Sequence, residues 1–275
     1  MKTLYISDLD GTLLNAHAEL SPYTVKTLNR LINNGVHFSV ATARTTTTTE
    51  IVLKNVTFNI PIILMNGVLI YDLSDKRYIK KEILSNKIAA NIINAVREVE
   101  QLGFLYTLCG DEMLTYYENL DNKALRDFVD ERIKKYNKIF IQVDDFLNVN
   151  PTEDIIYFCF LDTREKIERI YSSISGIAGI EIAKYADNYS DKLWFLEVFS
   201  DTASKYNAVQ FLRNYGGYDK VVGFGDNLND IPLFRACDEC YAVGNAKAEL
   251  KEIATAVIDT HYDDGVAKWL EENVL

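Results

Sequence analysis

Asp8 and Asp10 stand one residue apart in the stretch Asp8-Leu9-Asp10-Gly11-Thr12-Leu13-Leu14, directly after the short apolar run Thr3 to Ser7. Carboxylates this close at a strand end repel each other unless a cation or a proton sits between them. In an open parallel sheet, ligands bind beyond the C-terminal ends of the strands. The pair therefore offers hard oxygen ligands for Mg²⁺ and a place for chemistry. Taken alone, D-x-D reads equally well as a solvated turn closed by an Asx-type hydrogen bond. A second acidic corner shifts that balance. Gly223-Phe224-Gly225-Asp226-Asn227-Leu228-Asn229-Asp230 follows the run Lys220 to Phe224 and again places carboxylates just past a strand, with Gly225 permitting an unusual backbone turn. Helix capping by Asn227 or Asn229 accounts for part of this pattern. Two Asp-rich strand ends in separate halves of one sheet are harder to explain as turns.

Between the corners lie two smaller signals. Ala41-Thr42-Ala43-Arg44 ends a second strand-like run and offers a hydroxyl for a phosphoryl oxygen. Arg44 is available either to a second substrate anion or to a surface salt bridge. Lys205 follows Ser204 at a helix start, where the helix N-terminus favours anions. A lone lysine in a helix is ordinarily a solvated surface residue.

The elements that must position these residues alternate in the first part of the chain. Thr3 to Ser7, His37 to Ala41 and Ile62 to Met65 read as strands. Pro22 to Asn34 and Thr45 to Asn55 read as helices; in the first, Val25, Leu28, Leu31 and Ile32 recur at helical spacing behind an Ser21 cap, and Gly35 fits the stop. The run Thr45 to Thr49 is poor helix interior, so that start is ill defined. The rhythm resumes near the end, with helices over Ser204 to Tyr215, Asp230 to Ala236 and Gly265 to Asn273, and strands over Lys220 to Phe224, Glu239 to Val243 and Ala256 to Ile258. This alternation predicts a Rossmann-like α/β core with a parallel sheet. Between the halves, Glu82 to Tyr189 has α+β texture: helices over Asn86 to Leu102, Asn122 to Lys135 and Thr163 to Ser173, a hairpin around Cys109-Gly110-Asp111-Glu112, and strands over Ile155 to Leu161 and Ile180 to Ala183. The expected organisation is a core of 1–82 and 190–275 with an inserted domain at 83–189, placed to cover a site on its host.

Composition narrows the partners. With 48% hydrophobic and 25% charged residues, the 275-residue chain can bury a core of useful size. A formal charge of −11 disfavours nucleic acid, whose backbone is bound by clustered Lys and Arg. It leaves a small anionic substrate open, because one local cation can dominate a pocket. The N-terminal apolar stretch is too short for a signal peptide, and Ile60 to Tyr71 is interrupted by Asn66-Gly67 and cannot span a bilayer. No membrane partner and a cytoplasmic location are expected, with a monomer or weak homodimer. Cys109, Cys159, Cys237 and Cys240 are sparse, and Cys237-x-x-Cys240 lacks the second pair that zinc would need, so buried small hydrophobes are the default. His17, His37 and His261 share no spacing. Tyr106, Tyr116, Tyr117 and Tyr157 of the insert are read first as sheet or core aromatics, and only then as lining for a substrate.

Taken together, Asp8-Leu9-Asp10-Gly11-Thr12-Leu13-Leu14, Thr42, Lys205 and Gly225-Asp226-x-x-Asn229-Asp230 resemble the four motifs of the haloacid dehalogenase superfamily. The large insert resembles the C2-type cap of its Cof-like hydrolases, so the likeness covers essentially the whole chain. The resemblance implies a phosphatase with Asp8 as nucleophile and Asp10 as general acid/base. It implies that Thr42 and Lys205 hold the transferring phosphoryl group, with Asn66 and Gly67 on the phosphate side. It further implies Mg²⁺ on Asp8, the backbone carbonyl of Asp10, and Asp226, supported by Asn229 and Asp230. Ala43 and Tyr206 stand where the subgroup usually carries glycine. The expected activity is hydrolysis of small phosphorylated metabolites such as sugar phosphates. A phosphomutase-type transferase and a non-catalytic phosphometabolite sensor remain open beside it; a nucleotide-sugar transferase using D-x-D fits poorly with the second acidic corner.

Overall fold

The computed structural model describes residues 1–99, 103–186 and 192–274. Along the chain run β1 (Thr3–Ser7), α1 (Pro22–Asn33), β2 (His37–Val40), α2 (Thr46–Leu53), β3 (Ile62–Leu64), β4 (Leu69–Asp72) and β5 (Arg77–Lys81). Next come α3 (Asn86–Glu98), β6 (Phe104–Cys109), β7 (Glu112–Tyr117), α4 (Lys123–Tyr136), β8 (Phe140–Gln142), β9 (Asp154–Thr163), α5 (Arg164–Ile174), β10 (Ile180–Ala186) and β11 (Leu193–Ser200). The chain closes with α6 (Lys205–Gly216), β12 (Lys220–Gly225), α7 (Ile231–Ala236), β13 (Glu239–Val243), α8 (Ala248–Glu252), β14 (Ala256–Ile258) and α9 (Gly265–Val274).

Two compact units emerge, one of Met1–Lys80 with Ser204–Leu275 and one of Lys81–Ala203. In the first, a sheet of order β14-β13-β12-β1-β2 is parallel throughout, as the alternating pattern predicts. Its central strands are short apolar runs with both faces largely buried, Leu4, Ile6, Phe38, Val40, Val221 and Phe224 among them. The chain leaves β1 towards β2 on one side and returns at β12 on the other, so the strand order reverses at β1. Such a reversal opens a crevice at the C-terminal strand ends. The helix α1 starts where its sequence asks it to: Ser21 Oγ accepts from the Thr24 N–H at 3.0 Å, Pro22 opens the first turn, and Leu28, Leu31 and Ile32 face inward. The α2 helix begins one residue later than expected, with Thr45 as its cap; the Thr48 and Thr49 hydroxyls donate to the Thr45 carbonyl, which lets threonines occupy a first turn.

The second unit holds a six-stranded sheet of order β10-β11-β9-β6-β7-β8. Leu105, Phe158, Phe160, Leu196 and Val198 from one sheet face pack against Ile92, Ile93 and Val96 of α3 and Ile167, Ile170 and Ile174 of α5. The alternation of strand side chains sends Phe104, Tyr106, Tyr157, Cys159 and Glu197 to the opposite face, where Phe128 of α4 stacks on Phe104 at 5.0 Å.

Several boundaries differ from the expectation. The helix expected over Asn86 to Leu102 is described as far as Glu98, and 100–102 lie outside the described residues. The junction expected at 189–190 likewise falls on residues outside the described set; the second unit runs on to Ala203 because β11 pairs with both β9 and β10. The run beyond Ile62 turns at Asn66-Gly67 into β4, antiparallel to β3. Among the described residues, no helix is long and apolar enough to cross a membrane.

Candidate active site

The pairing of β1 with β12 brings the two acidic corners together. Ser7 sits opposite Phe224, and the Asp8 N–H donates to the Phe224 carbonyl at 3.0 Å. Both strands end here, so Asp8 and Asp226 emerge side by side from adjacent parallel strands. Gly11 makes the approach possible. Its φ of +78° is unfavourable for other residues, and a Cβ there would stand 2.4 Å from Asp226 Oδ2. Gly225 serves by size rather than by an unusual φ, since a Cβ would meet the Asp230 Cβ at 2.8 Å.

Asp8 is buried, 5% exposed. Its Oδ1 accepts from Lys205 Nζ at 2.6 Å, and the same ammonium donates to Asp230 Oδ1 at 2.7 Å. Lys205, the first residue of α6, is only 1% exposed, which sets it apart from a solvated surface lysine. Burial alone would push its pKa down; the Asp230 and Asp8 carboxylates outweigh that and hold it above the ordinary lysine value, so it stays charged. Burial, reinforced by Asp230, pushes Asp8 well above the usual carboxylate range against the pull of Lys205. Asp226 is pushed up to about 6, by burial first and then by Asp230. The Thr12 hydroxyl donates to Asp226 Oδ1 at 3.0 Å.

Oxygens of Asp8, Asp226 and Asp230 lie within 4.8 Å of one another. Their roles differ, however. Asp230 spends Oδ1 on Lys205 and Oδ2 on the N–H groups of Asp226 and Asn227, at 3.0 and 3.1 Å. It braces the turn, which leaves Asp8 and Asp226 as the carboxylates with oxygen to offer a cation. Three carboxylates against one ammonium leave net negative charge in a largely buried space, and the raised pKa values of Asp8 and Asp226 record its cost. A divalent cation that prefers oxygen ligands fits this donor set.

The other expected residues fall into distinct places. Thr42 is buried at the end of β2; its N–H donates to the Ile63 carbonyl and its own carbonyl accepts from the Asn66 N–H, both at 3.0 Å. The strand end thus locks onto the Asn66-Gly67 turn. Asn66 adopts the left-handed region at φ +57°, and its buried Oδ1 has no hydrogen-bond partner among the described residues. Gly67 lies against the Ser204 carbonyl, so close that a Cβ would come within 2.2 Å of it. This contact ties the turn to the start of α6, where Ser204 Oγ caps the Asn207 N–H. Asn229 is exposed, whereas Asn227 Oδ1 accepts from the Leu228 N–H. Tyr206 is 41% exposed. The Asp10 carboxylate is not one of the three in this group and is gripped by Arg44.

Some residues went unread in the sequence. Asn245 Nδ2 donates to the Gly11 carbonyl at 2.8 Å, and its Oδ1 accepts from the His261 N–H at 3.0 Å. Buried His261 sets Nδ1 against the Leu14 carbonyl at 2.7 Å. Both brace the loop that carries Asp8 and Asp10, and neither belongs to a spaced motif. His37 packs edge-on to Tyr218, and all four cysteines are free thiols.

Comparison with known proteins bears on this geometry. A family model described as haloacid dehalogenase-like hydrolase matches residues 5–270. A Haemophilus influenzae protein named as a phosphatase is 29% identical over 97% of this chain and 96% of its own length. A Bacillus subtilis protein named 5-amino-6-(5-phospho-D-ribitylamino)uracil phosphatase is 22% identical over 96% of this chain and 95% of its own. A crystal structure from Thermotoga maritima matches the fold with a TM-score of 0.81 at 24% identity, covering 100% of this chain and 98% of that one.

Proposed function

Since this chain belongs to the family of haloacid dehalogenase-like hydrolases, we propose that it is a Mg²⁺-dependent phosphatase of small phosphorylated metabolites, sugar phosphates or their relatives, acting through a phosphoryl group carried on Asp8. The observation that supports this most is the meeting of Asp8, Asp226 and the buried Lys205 ammonium at the ends of two adjacent strands.

One Asp8 oxygen attacks phosphorus, and the other stays with the cations that neutralise the site, Lys205 among them. As the new P–O bond forms, the bond to the leaving alkoxide breaks, and the Asp10 carboxyl gives that oxygen its proton. Water then attacks phosphorus, Asp10 takes back a proton, and the Asp8–phosphorus bond breaks to release phosphate. Lys205 and the Thr42 hydroxyl hold phosphoryl oxygens, with Asn66 and Gly67 on the same side. Asp8, the Asp10 carbonyl and Asp226 would hold Mg²⁺, which supplies charge neutralisation where two anions must meet.

The similarity to a uracil-derivative ribityl phosphatase adds a polyol phosphate bearing a heterocycle to the substrates worth testing. The experiment is phosphate release from a metabolite panel that includes this compound, with Mg²⁺ and with chelator. Release with Mg²⁺, falling to background with chelator and in Asp8→Asn, is expected. Folded protein that turns over nothing in the panel, or an Asp8→Asn variant as active as the parent, sinks the proposal.

A further inference from the structure

Arg44 grips Asp10 in a fork. Its Nε donates to Asp10 Oδ2 at 2.7 Å and its Nη2 to Asp10 Oδ1 at 2.6 Å. Paired N–H donors of this kind fix the plane of a carboxylate as well as its distance, which a lysine cannot do. The anchor is itself fixed. The Arg44 N–H donates to Thr42 Oγ1 at 3.1 Å and its carbonyl accepts from the Met65 N–H at 3.1 Å. The Arg44 side chain is 15% exposed, while that of Asp10 is 52% exposed.

Without the fork, a half-exposed aspartate would sample several rotamers. Among the described residues, Asp10 is not part of the group formed by Asp8, Asp226 and Asp230. Among the described residues, Arg44 is the cation paired with it. An ion pair this open adds little to folding stability. It does place a carboxylate, and small displacements of a proton-transfer group carry large penalties in rate.

We propose that Arg44 is the positioning residue for Asp10: it sets the carboxyl where the leaving oxygen must receive its proton. The inference rests on the reading of Asp10 as general acid. It differs from the role in which Arg44 meets a second anion of the substrate, because here the Nε and Nη2 donors are spent on Asp10.

The test compares two leaving groups through kcat/KM, which reports events up to phosphoryl transfer to Asp8. An alkyl phosphate needs its leaving oxygen protonated; p-nitrophenyl phosphate, with a stable phenolate, scarcely does. For Arg44→Gln, kcat/KM on the alkyl phosphate should fall about 10²-fold, and several-fold at most on the aryl phosphate. Arg44→Lys, which keeps charge but loses the fork, should show the same selectivity in weaker form and serves if Arg44→Gln does not fold. The double variant Arg44→Gln/Asp10→Asn should be no worse than Asp10→Asn alone. If Asp10→Asn discriminates between the two phosphates and the Arg44 variants lower both equally, or neither, the positioning role is overturned while the general acid stands. If Asp10→Asn itself fails to discriminate, the general-acid reading falls, and the inference with it.

Discussion

Each unit of this protein buries a lysine, and the two lysines have opposite fates. Lys205 in the first unit is 1% exposed and lies 2.6 and 2.7 Å from two carboxylates. Lys138 in the second is 7% exposed; its ammonium meets the Tyr106 hydroxyl at 3.3 Å and lies over the Tyr106 and Phe140 rings at 4.3 and 5.6 Å. Burial and the nearby Arg132 bring its pKa down to about 7. Buried Glu197, on the same sheet face as Tyr106, takes the Tyr185 hydroxyl at 2.8 Å and is pushed above its ordinary value by burial. The lesson concerns what a buried charge is for. Where counter-charges surround it, the cation persists and can steer an anion; where rings surround it, neutrality is the cheaper state.

The same substitution in both places should therefore give opposite results. Lys205→Met leaves Asp8 and Asp230 facing each other unpaired, and should cost about 3–5 kcal/mol in urea unfolding together with at least about 10²-fold in turnover. Lys138→Met replaces an ill-paired amine with an apolar chain of similar volume, and should be neutral or stabilising by about 1–2 kcal/mol at pH 7. Equal destabilisation by both would break the comparison.

A pH series sharpens it. The Lys138 pKa is lower in the folded protein than in the unfolded chain, so between about 7 and 10.5 the unfolded state binds the extra proton. Stability then rises with pH, by up to about 1.4 kcal/mol per unit for one group. Below pH 7 the penalty is full and constant. Above about 9 the raised pKa of buried Cys159 and Tyr106 works in the opposite direction, which leaves pH 7 to 9 as the window to examine. The difference in unfolding free energy between the parent and Lys138→Met should shrink across this window; a flat difference would mean that Lys138 titrates normally.

Smaller still is the effect expected at Thr12. Its hydroxyl donates to Asp226 Oδ1, so Thr12→Val should weaken Mg²⁺ activation several-fold while losing about 1 kcal/mol or less of stability. A Mg²⁺ titration of turnover checks it, and an unchanged half-activating concentration would show that Asp226 needs no such brace.

The core of the site was legible because strand ends are. An apolar run followed by Asp, found twice, pointed to two strand ends of one parallel sheet, and the pairing of β1 with β12 makes them neighbours. Ser21 announced its helix through capping chemistry that depends on few residues, and Ser204, read as the first residue of a helix, proves to be the cap of α6. What escaped depends on side-chain direction or distant pairing. Nothing in the spacing of Asp10 and Arg44 tells that their side chains meet, nor that Asp230 would serve Lys205 and two backbone donors at once. Asn245 and His261 brace the loop as single residues without a pattern. The strand β11 was missed, and with it the extent of the second unit to Ala203, because Glu197 interrupts its apolar run; in the structure that carboxylate is buried and bonded to Tyr185.

The most direct measurement is mass spectrometry of the protein quenched in acid during turnover with Mg²⁺ and a phosphorylated substrate. A phosphoryl adduct confined to the peptide carrying Asp8, and absent from Asp8→Asn, is the predicted result. Steady phosphate release with that peptide unmodified, and with Asp8→Asn still turning over, would contradict the role given to Asp8.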